Sequence, residues 1–262
     1  MIIAHRKRYR RSLVAIILTV GMGLAAMPPL ARGQGETKVY GKTYGEWSAQ
    51  WWQWAHSIPA SSSPVLLEGN VDCTLGQRAP VYFLAGKGVQ LPENPAQLPI
   101  VLTGARTCTI PQGVALFFPI VNAELINAPG DIICTDGAVG RPCTVEEKRQ
   151  ILDFGIVGAR NFCGAAVTID GTPPYQLPTV RTQSPPYTLM IGAEDPFGTP
   201  SGTVDTEVVS DGFWMLVPPL PQGPHTLTIK GSFCIPQDET DPSSPLAPFF
   251  SVEMTYNLTV GQ

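Results

Sequence analysis

The residues of this sequence best able to carry chemistry are carboxylates. The candidates stand beside turns or apolar runs: Glu46, Asp72, Glu124, Glu194 and Asp195. Two acids at a set separation are sufficient for glycoside hydrolysis, in which one donates a proton and the other acts as base or nucleophile. Glu124 is the least expected, because it directly follows the apolar strand-like run in PIVNAELIN. The others have structural explanations: a helix cap for Glu46, a turn for Asp72, and a solvent-facing loop for Glu194 and Asp195.

Other catalytic classes are poorly represented. After residue 33 only His56 and His225 remain, too few for a three-histidine zinc site. The sequence has no H-E-x-x-H, G-x-S-x-G, phosphate-loop or dinucleotide motif. His225 is a candidate base or ligand, and its structural alternative is a hydrogen bond to a turn carbonyl. The acidic run 238–241 lacks a calcium-loop pattern and is interpreted as a solvated loop. We therefore expect no metal and no cofactor.

The most unusual segment is YGEWSAQWWQWAHSIP, residues 44–59, which holds four of the five tryptophans. On a helix, spacings of three and four place five residues on one face: Tyr44, Trp47, Trp51, Trp54 and Ile58. We interpret this face as a buried stripe that covers a sheet. Trp52 lies off the stripe, about 140° from Trp47. The functional alternative is sugar binding, in which Trp faces stack on sugar rings, and Trp52 and Trp214 are then the candidate exposed aromatics. The polar side of the helix lacks Lys and Arg, which disfavours a membrane-surface role.

Two capping boxes predict where helices begin. Thr43 and Glu46 have the spacing that caps a helix near 44–57, which Pro59 would end. Thr144 and Glu147 repeat that spacing at the start of a second helix near 145–161. Its apolar side would be formed by Ile151, Leu152, Ile156 and Val157.

Short apolar runs separated by Gly and Pro predict strands at 80–85, 114–121, 165–169, 187–191, 213–217, 225–230 and 251–260. The last run alternates strictly, as a half-buried strand does. With seven to nine strands and two helices, we predict a mainly β fold. The expected architecture is an antiparallel β-sandwich or jelly-roll-like domain with an N-terminal Trp-rich helix and one further helix, over residues 34–262.

The N-terminus has the order of a secretory signal peptide. The basic segment HRKRYRR is followed by an apolar run over 12–27 and by Ala31-Arg32-Gly33, a small-residue cleavage site. An uncleaved anchor helix is the alternative, although about 16 apolar residues are few for a bilayer. We expect cleavage after residue 33, a secreted or periplasmic protein, and no transmembrane segment in the mature chain.

Charge and cysteine content agree with export. Residues 1–33 hold six of the 17 basic and none of the 21 acidic residues, so the mature chain has 17 − 6 = 11 basic residues against 21 acidic ones. A net charge of 11 − 21 = −10 disfavours nucleic-acid binding. The six cysteines, an even number, predict three disulfides. Fifteen pairings are possible, and our prediction is Cys73–Cys108, Cys134–Cys143 and Cys163–Cys234.

Four stretches carry a resemblance that covers most of the mature chain: YGKTYGEWSAQWWQWAHSIP, GQRAPVYFLAG, RTCTIPQGVALFFPIVNAE and PPLPQGPHTLTIKG. Together they resemble a family of exported bacterial proteins to which no activity is assigned. The resemblance implies a secreted single-domain protein and no particular reaction.

Three functions remain open. The preferred hypothesis is a non-catalytic binding or envelope-associated module for a glycan, cell-surface polymer or surface partner, with Trp52, Trp214, Glu124 and His225 as candidate ligand-binding residues. The second is a carboxylate-dependent carbohydrate-active enzyme, and the third is a structural envelope or matrix component.

Overall fold

The structure is a computed structural model that describes residues 2–3, 37–90, 100–128, 134, 141–155, 162–173, 179–236 and 245–261. This part of the chain forms two helices, α1 (Tyr44–Ser57) and α2 (Val145–Gly155). Its strands are β1 (Ile2–Ile3), β2 (Gly69–Asn70), β3 (Val81–Phe83), β4 (Val89–Gln90), β5 (Ile100–Pro111), β6 (Ala115–Leu125), β7 (Phe162–Ile169), β8 (Val180–Gln183), β9 (Tyr187–Met190), β10 (Val204–Val217), β11 (Gly223–Pro236) and β12 (Leu246–Gly261).

The strands form two sheets in a sandwich-like arrangement. Sheet 1 has the order β4-β1-β6-β10-β8, with β3 also paired to β6 and β9 to β10. Sheet 2 has the order β2-β5-β12-β11-β7. The prediction of a mainly β fold with two helices is confirmed. Both sheets are mixed rather than antiparallel throughout, because β5 runs parallel to β12 along its whole length and β3 runs parallel to β6.

Strand β1 lies inside the predicted signal peptide. It pairs in parallel with both β4 and β6 at one side of sheet 1. Cleavage after residue 33 would therefore remove β1 from this sheet. No helix in the described ranges has the length and apolar character needed to cross a membrane.

Helix α1 and the two sheets stack as three layers with β6 in the middle. All eleven residues of β6 are buried. Phe117 points to α1, where it shares a cluster with Trp47 and Trp51, whereas Phe118 points to sheet 2 and packs with Tyr256 and Leu258. A strand covered on both faces must be apolar on both, which is why ALFFPIV lacks the alternation of a half-buried strand.

A β-bulge in β6 reverses the direction of its side chains. Phe213 of β10 pairs with Val121, but Trp214 pairs with Pro119, so Ile120 is the extra residue. Ile120 and Val121 both lie against Gly231 of sheet 2. Alternation then resumes with the opposite parity. Phe117 and Glu124, which an unbroken strand would place on opposite faces, consequently both face α1.

Gly231 is the position in sheet 2 that accommodates this bulge. A Cβ at residue 231 would lie 2.8 Å from the Cγ2 of Ile120 and 2.8 Å from the Cγ1 of Val121. We expect Gly231→Ala to lower the free energy of unfolding by about 1–3 kcal/mol, because overpacking forces strand and side chains apart. Chemical denaturation measures this loss. Gly164→Ala on the neighbouring strand is the matched control, since a Cβ there meets nothing within 4 Å, and an equal loss in both variants would contradict the explanation.

Both helix starts follow their predicted caps. The Thr43 hydroxyl accepts the Glu46 amide at 3.1 Å, and the Glu46 carboxylate accepts the Thr43 amide at 2.7 Å. Thr144 and Glu147 make the same reciprocal pair at the start of α2. Leu152 is buried and Ile151 is half-buried, whereas Ile156 and Val157 lie outside the described residues. The three disulfides pair as predicted, Cys73–Cys108, Cys134–Cys143 and Cys163–Cys234.

Candidate functional site

A cluster of charged side chains is buried where the last turn of α1 meets sheet 1. Its centre is His56, whose Nε2 contacts Glu124 of β6 and whose Nδ1 lies 2.6 Å from the Oδ1 of Asp195. Tyr187 of β9 donates its hydroxyl to the second oxygen of Glu124 at 2.6 Å. The His56, Glu124 and Asp195 side chains are 2 %, 0 % and 1 % exposed, respectively. The cluster therefore joins four elements and is almost completely shielded from solvent.

Each member is positioned by its local structure. His56 follows from the helical register of α1, and Glu124 reaches the α1 side of sheet 1 through the bulge in β6. The 194–199 turn is built around Asp195, whose Oδ2 accepts the backbone amides of Phe197 and Thr199 at 3.1 and 2.9 Å. The positions of both carboxylates are thus set by their own local structure and do not depend on His56. The two carboxylates hold the imidazole from opposite sides.

The protonation state follows from these contacts. Burial disfavours a charged imidazole, but the negative charge of Glu124 and the hydrogen bond to Asp195 outweigh it and raise the pKa of His56 to about 9. Burial would also raise the pKa of Asp195, yet contact with His56 lowers it overall. At neutral pH His56 is an imidazolium that donates both N–H groups to carboxylates. The pKa of Tyr187 is raised, first by burial and then by the charge of Glu124.

These shifts predict how stability depends on pH. Because the pKa of His56 is raised, its contribution is complete below about pH 6.5 and is lost as the pH rises through about 9. Because the pKa of Asp195 is lowered, its contribution is present above its ordinary value and is lost at more acidic pH. Urea denaturation at a series of pH values should show stability falling at both ends. In His56→Gln the decline near pH 9 should shrink relative to the parent protein, and an unchanged decline would contradict the assignment.

A second buried ion pair ties α2 to sheet 1. The ammonium of Lys148 lies 2.7 Å from the Oδ2 of Asp205, and the two side chains are 0 % and 4 % exposed. Asp205 also accepts the backbone amides of Asn127 and Glu207 at 2.7 and 2.9 Å. Every oxygen of Asp205 has a protein donor, so this pair is explained as a structural link.

Trp52 and Trp214 are not the exposed aromatics that the sequence predicts. Both are 0 % exposed. Trp52 is covered by Phe197 of the 194–199 turn, with ring centroids 5.5 Å apart, and Trp214 stacks on Phe117 at 5.1 Å. The helical stripe identified the side that faces sheet 1, but a loop distant in sequence covers the neighbouring side as well.

The remaining candidates divide between confirmed structural roles and one correction. His225 lies 2.8 Å from the carboxylate of Asp170, and its Nε2 lies 2.9 Å from the carbonyl oxygen of Pro221, so the predicted bond to a turn carbonyl is confirmed. Asp72 accepts the amide of Thr74 in a turn. Glu194 is exposed, as expected. Asp195 is not a solvent-facing residue, because its carboxylate turns inward to His56.

No single sequence signal identifies the charged cluster. His56 and Glu124 are 68 positions apart, and Asp195 follows His56 by 139 positions. The apolar surroundings of Glu124 were a useful indication that this acid is unusual. His56 could have been recognised from its place at the end of the Trp-rich helix, one turn after Trp52.

What the cluster can do chemically is limited by its environment. His56 and Glu124 resemble the acid–base pairs of enzymes in type and spacing, but both ring nitrogens and both Glu124 oxygens already have protein partners. A carboxylate that acts on a sugar must reach the glycosidic oxygen or a water molecule. Glu124 and Asp195 reach His56 instead. Comparison with family models, curated proteins and solved structures found no match to this chain.

Proposed function

We propose that the protein is an exported, disulfide-stabilised module that binds a hydroxyl-rich polymer, such as a cell-surface glycan, without modifying it. The single observation that carries this proposal is the outward face of sheet 2, which is broad and built from small polar side chains. Along β5, β12 and β11 the outward-facing positions include Thr103, Thr107, Thr109, Thr255, Asn257, Thr259, Thr226 and Thr228.

The register arranges these side chains in rows across the strands. Thr107 of β5 is the partner of Asn257 of β12, which is the partner of Thr226 of β11. The adjacent row joins Thr255 to Thr228 and to Thr168 of β7. Neighbouring strands lie about 4.8 Å apart, and same-face residues along a strand lie about 6.8 Å apart. Such a face offers many short donors and acceptors, whose ordering costs little side-chain entropy.

Charge on this face is sparse. Its central ion pair joins Lys230 to Glu253 at 2.8 Å, and the two side chains are 52 % and 46 % exposed. A face with hydroxyl and amide groups and a self-neutralised pair suits a neutral polar chain better than a nucleic acid or an acidic peptide. Because Trp52, Trp214 and Glu124 are buried, they are not available to contact a polymer, and we place the binding surface on sheet 2 instead.

Export belongs to this proposal. The basic and apolar N-terminal order supports it, and three disulfides suit an oxidising compartment. A carbohydrate-active enzyme is less well supported, because Glu124 and Asp195 are both engaged by His56.

A binding screen tests the proposal. The oxidised protein is applied to a glycan array and to insoluble cellulose, chitin and peptidoglycan, and sugar release is measured in parallel. We expect retention on at least one polymer without sugar release. The double variant Thr228→Ala/Asn257→Ala should lose at least tenfold in affinity, whereas Thr188→Ala, an exposed control on sheet 1, should bind like the parent. Sugar release abolished by Glu124→Gln would instead establish the enzyme.

A further inference from the structure

The five tryptophans divide into two groups by their indole N–H. Trp47, Trp51 and Trp54 donate to the carbonyl oxygens of Val39, Leu84 and Leu75 at 2.8, 2.9 and 2.9 Å. Trp52 and Trp214 have no hydrogen-bond partner among the described residues, although both are fully buried. A buried N–H without an acceptor is costly, and native proteins satisfy nearly all such groups with protein or ordered water.

A third unpartnered group lies in the same layer. Neither the oxygen nor the nitrogen of the Asn122 amide has a partner within the described ranges, and the residue is 0 % exposed. Asn122 is opposite Gly212 of β10, two positions before Trp214. The Trp51 ring connects the set, since its centroid is 5.1 Å from that of Trp52 and 5.6 Å from that of Trp214. Trp52 and Trp214 therefore lie between α1 and sheet 1, and Asn122, two positions before Glu124 on β6, is on the same face of sheet 1 as Glu124.

Two further buried hydroxyls have polar neighbours that can serve as partners. Ser210 and Thr199 also lack a well-aligned partner. Ser210 lies beside the Tyr187 hydroxyl and Thr199 beside Asp195, and a hydroxyl can rotate toward such a neighbour. An indole N–H and an amide held by packing have no comparable freedom.

The chemistry of the unpartnered atoms defines what would satisfy them. They offer two indole hydrogens and two amide hydrogens against one carbonyl oxygen, so a bound molecule must chiefly accept hydrogen bonds. An anion is disfavoured, because the ring centroid of Trp52 is 6.1 Å from that of His56, and the cluster of the His56 imidazolium with the Glu124 and Asp195 carboxylates is negative overall. The molecule should therefore be a neutral acceptor. Water is the smallest one, and buried water commonly makes about three hydrogen bonds to such groups.

We propose that the layer between α1 and sheet 1 holds an internal hydration site. Ordered water there accepts hydrogen bonds from the Trp52 and Trp214 indoles, and it both accepts from and donates to the Asn122 amide. This site is separate from the polymer-binding face of sheet 2. It completes the polar interior that the His56 cluster begins, and it makes the contact between α1 and sheet 1 partly water-mediated.

Proton NMR can detect this water directly. Indole N–H signals of the ¹⁵N-labelled oxidised protein are assigned with Trp52→Phe and Trp214→Phe, and their cross-relaxation with water is recorded. We expect long-lived water contacts at the Trp52 and Trp214 indole protons. Trp51 is the internal control, because it is equally buried but donates to Leu84, and its indole should show none.

Two results would overturn the assignment. One is the absence of water contacts at either the Trp52 or the Trp214 indole under conditions in which exposed amides show them. The other is a native mass greater than that of the polypeptide with three disulfides, which would reveal a larger bound molecule. Asn122→Leu provides a further check in the wild-type background: if it folds, the water contact at Trp214 should weaken, and an unchanged contact would also contradict the shared site.

Discussion

Replacing Glu124 by leucine is expected to lower the free energy of unfolding by about 3–5 kcal/mol, the cost of removing one partner from a buried ion pair. The His56 imidazolium would keep only Asp195, and the Tyr187 hydroxyl would lose its acceptor. Leucine fills similar space, so the loss reports on charge and hydrogen bonding rather than on a cavity. Equilibrium denaturation in urea at neutral pH measures it.

The matched control is Glu253→Leu on the outward face of sheet 2. Glu253 also forms an ion pair, with Lys230, but both side chains are about half exposed, and exposed pairs contribute about 0–1 kcal/mol. A similar loss of unfolding free energy in both variants would show that the buried cluster contributes no more to stability than an exposed ion pair does. An NMR titration adds an independent readout: the pKa of His56 should fall in Glu124→Leu, because the negative charge of Glu124 is the chief factor that raises it.

Trp51→Ala should have an effect of comparable size. Trp51 is 0 % exposed, donates to the carbonyl oxygen of Leu84 and contacts the rings of Trp52, Trp54 and Trp214. Truncating a buried tryptophan to alanine costs about 3–5 kcal/mol. For a domain of this size that loss should lower Tm by about 10 °C, which differential scanning calorimetry measures.

Two further variants separate packing from hydrogen bonding at this position. Trp51→Phe keeps most of the ring contacts but removes the N–H, so it should lose less than Trp51→Ala. Met190→Ala, at a side chain 76 % exposed, should stay within about 0.5 kcal/mol of the parent. If Trp51→Ala behaved like Met190→Ala, the role of α1 as a structural layer would be refuted.

Helix α1 shows how much local sequence can predict. Its bounds, its Thr43–Glu46 cap and its buried stripe all follow from spacings within one turn or from the neighbouring Pro59. The strand 251–260 could be predicted equally well, because strict alternation of apolar and polar residues is typical of a half-buried strand. The disulfide pairing agreed with prediction, although fifteen arrangements were open and the sequence itself did not choose among them.

The features that were missed depend on contacts between distant segments. Strand β5 was not predicted, because Thr, Gly and Arg interrupt IVLTGARTCTIP. Its pairing with β12 is what makes the segment a strand. Helical spacing places Trp52 off the buried stripe, but it cannot predict that the distant 194–199 turn covers this side of the helix. The Glu124–His56 contact required a one-residue bulge, and nothing in PIVNAELIN specifies the parity change that aims Glu124 at α1.

The place of β12 in sheet 2 has a consequence for the order of events during folding. β12 lies between β5 and β11, and it is synthesised after every other strand that the structure describes. Because β5 and β11 each pair with β12 and not with each other, the two halves of sheet 2 stay separate until β12 is in place, and the pairing of β12 with β5 spans more than 140 positions. Contacts at such separation form slowly. All six cysteines precede β12, so the three disulfides can close while sheet 2 is still divided in two. Oxidation can therefore run ahead of folding, and an oxidised chain in which β12 is not yet paired is the species most exposed to aggregation.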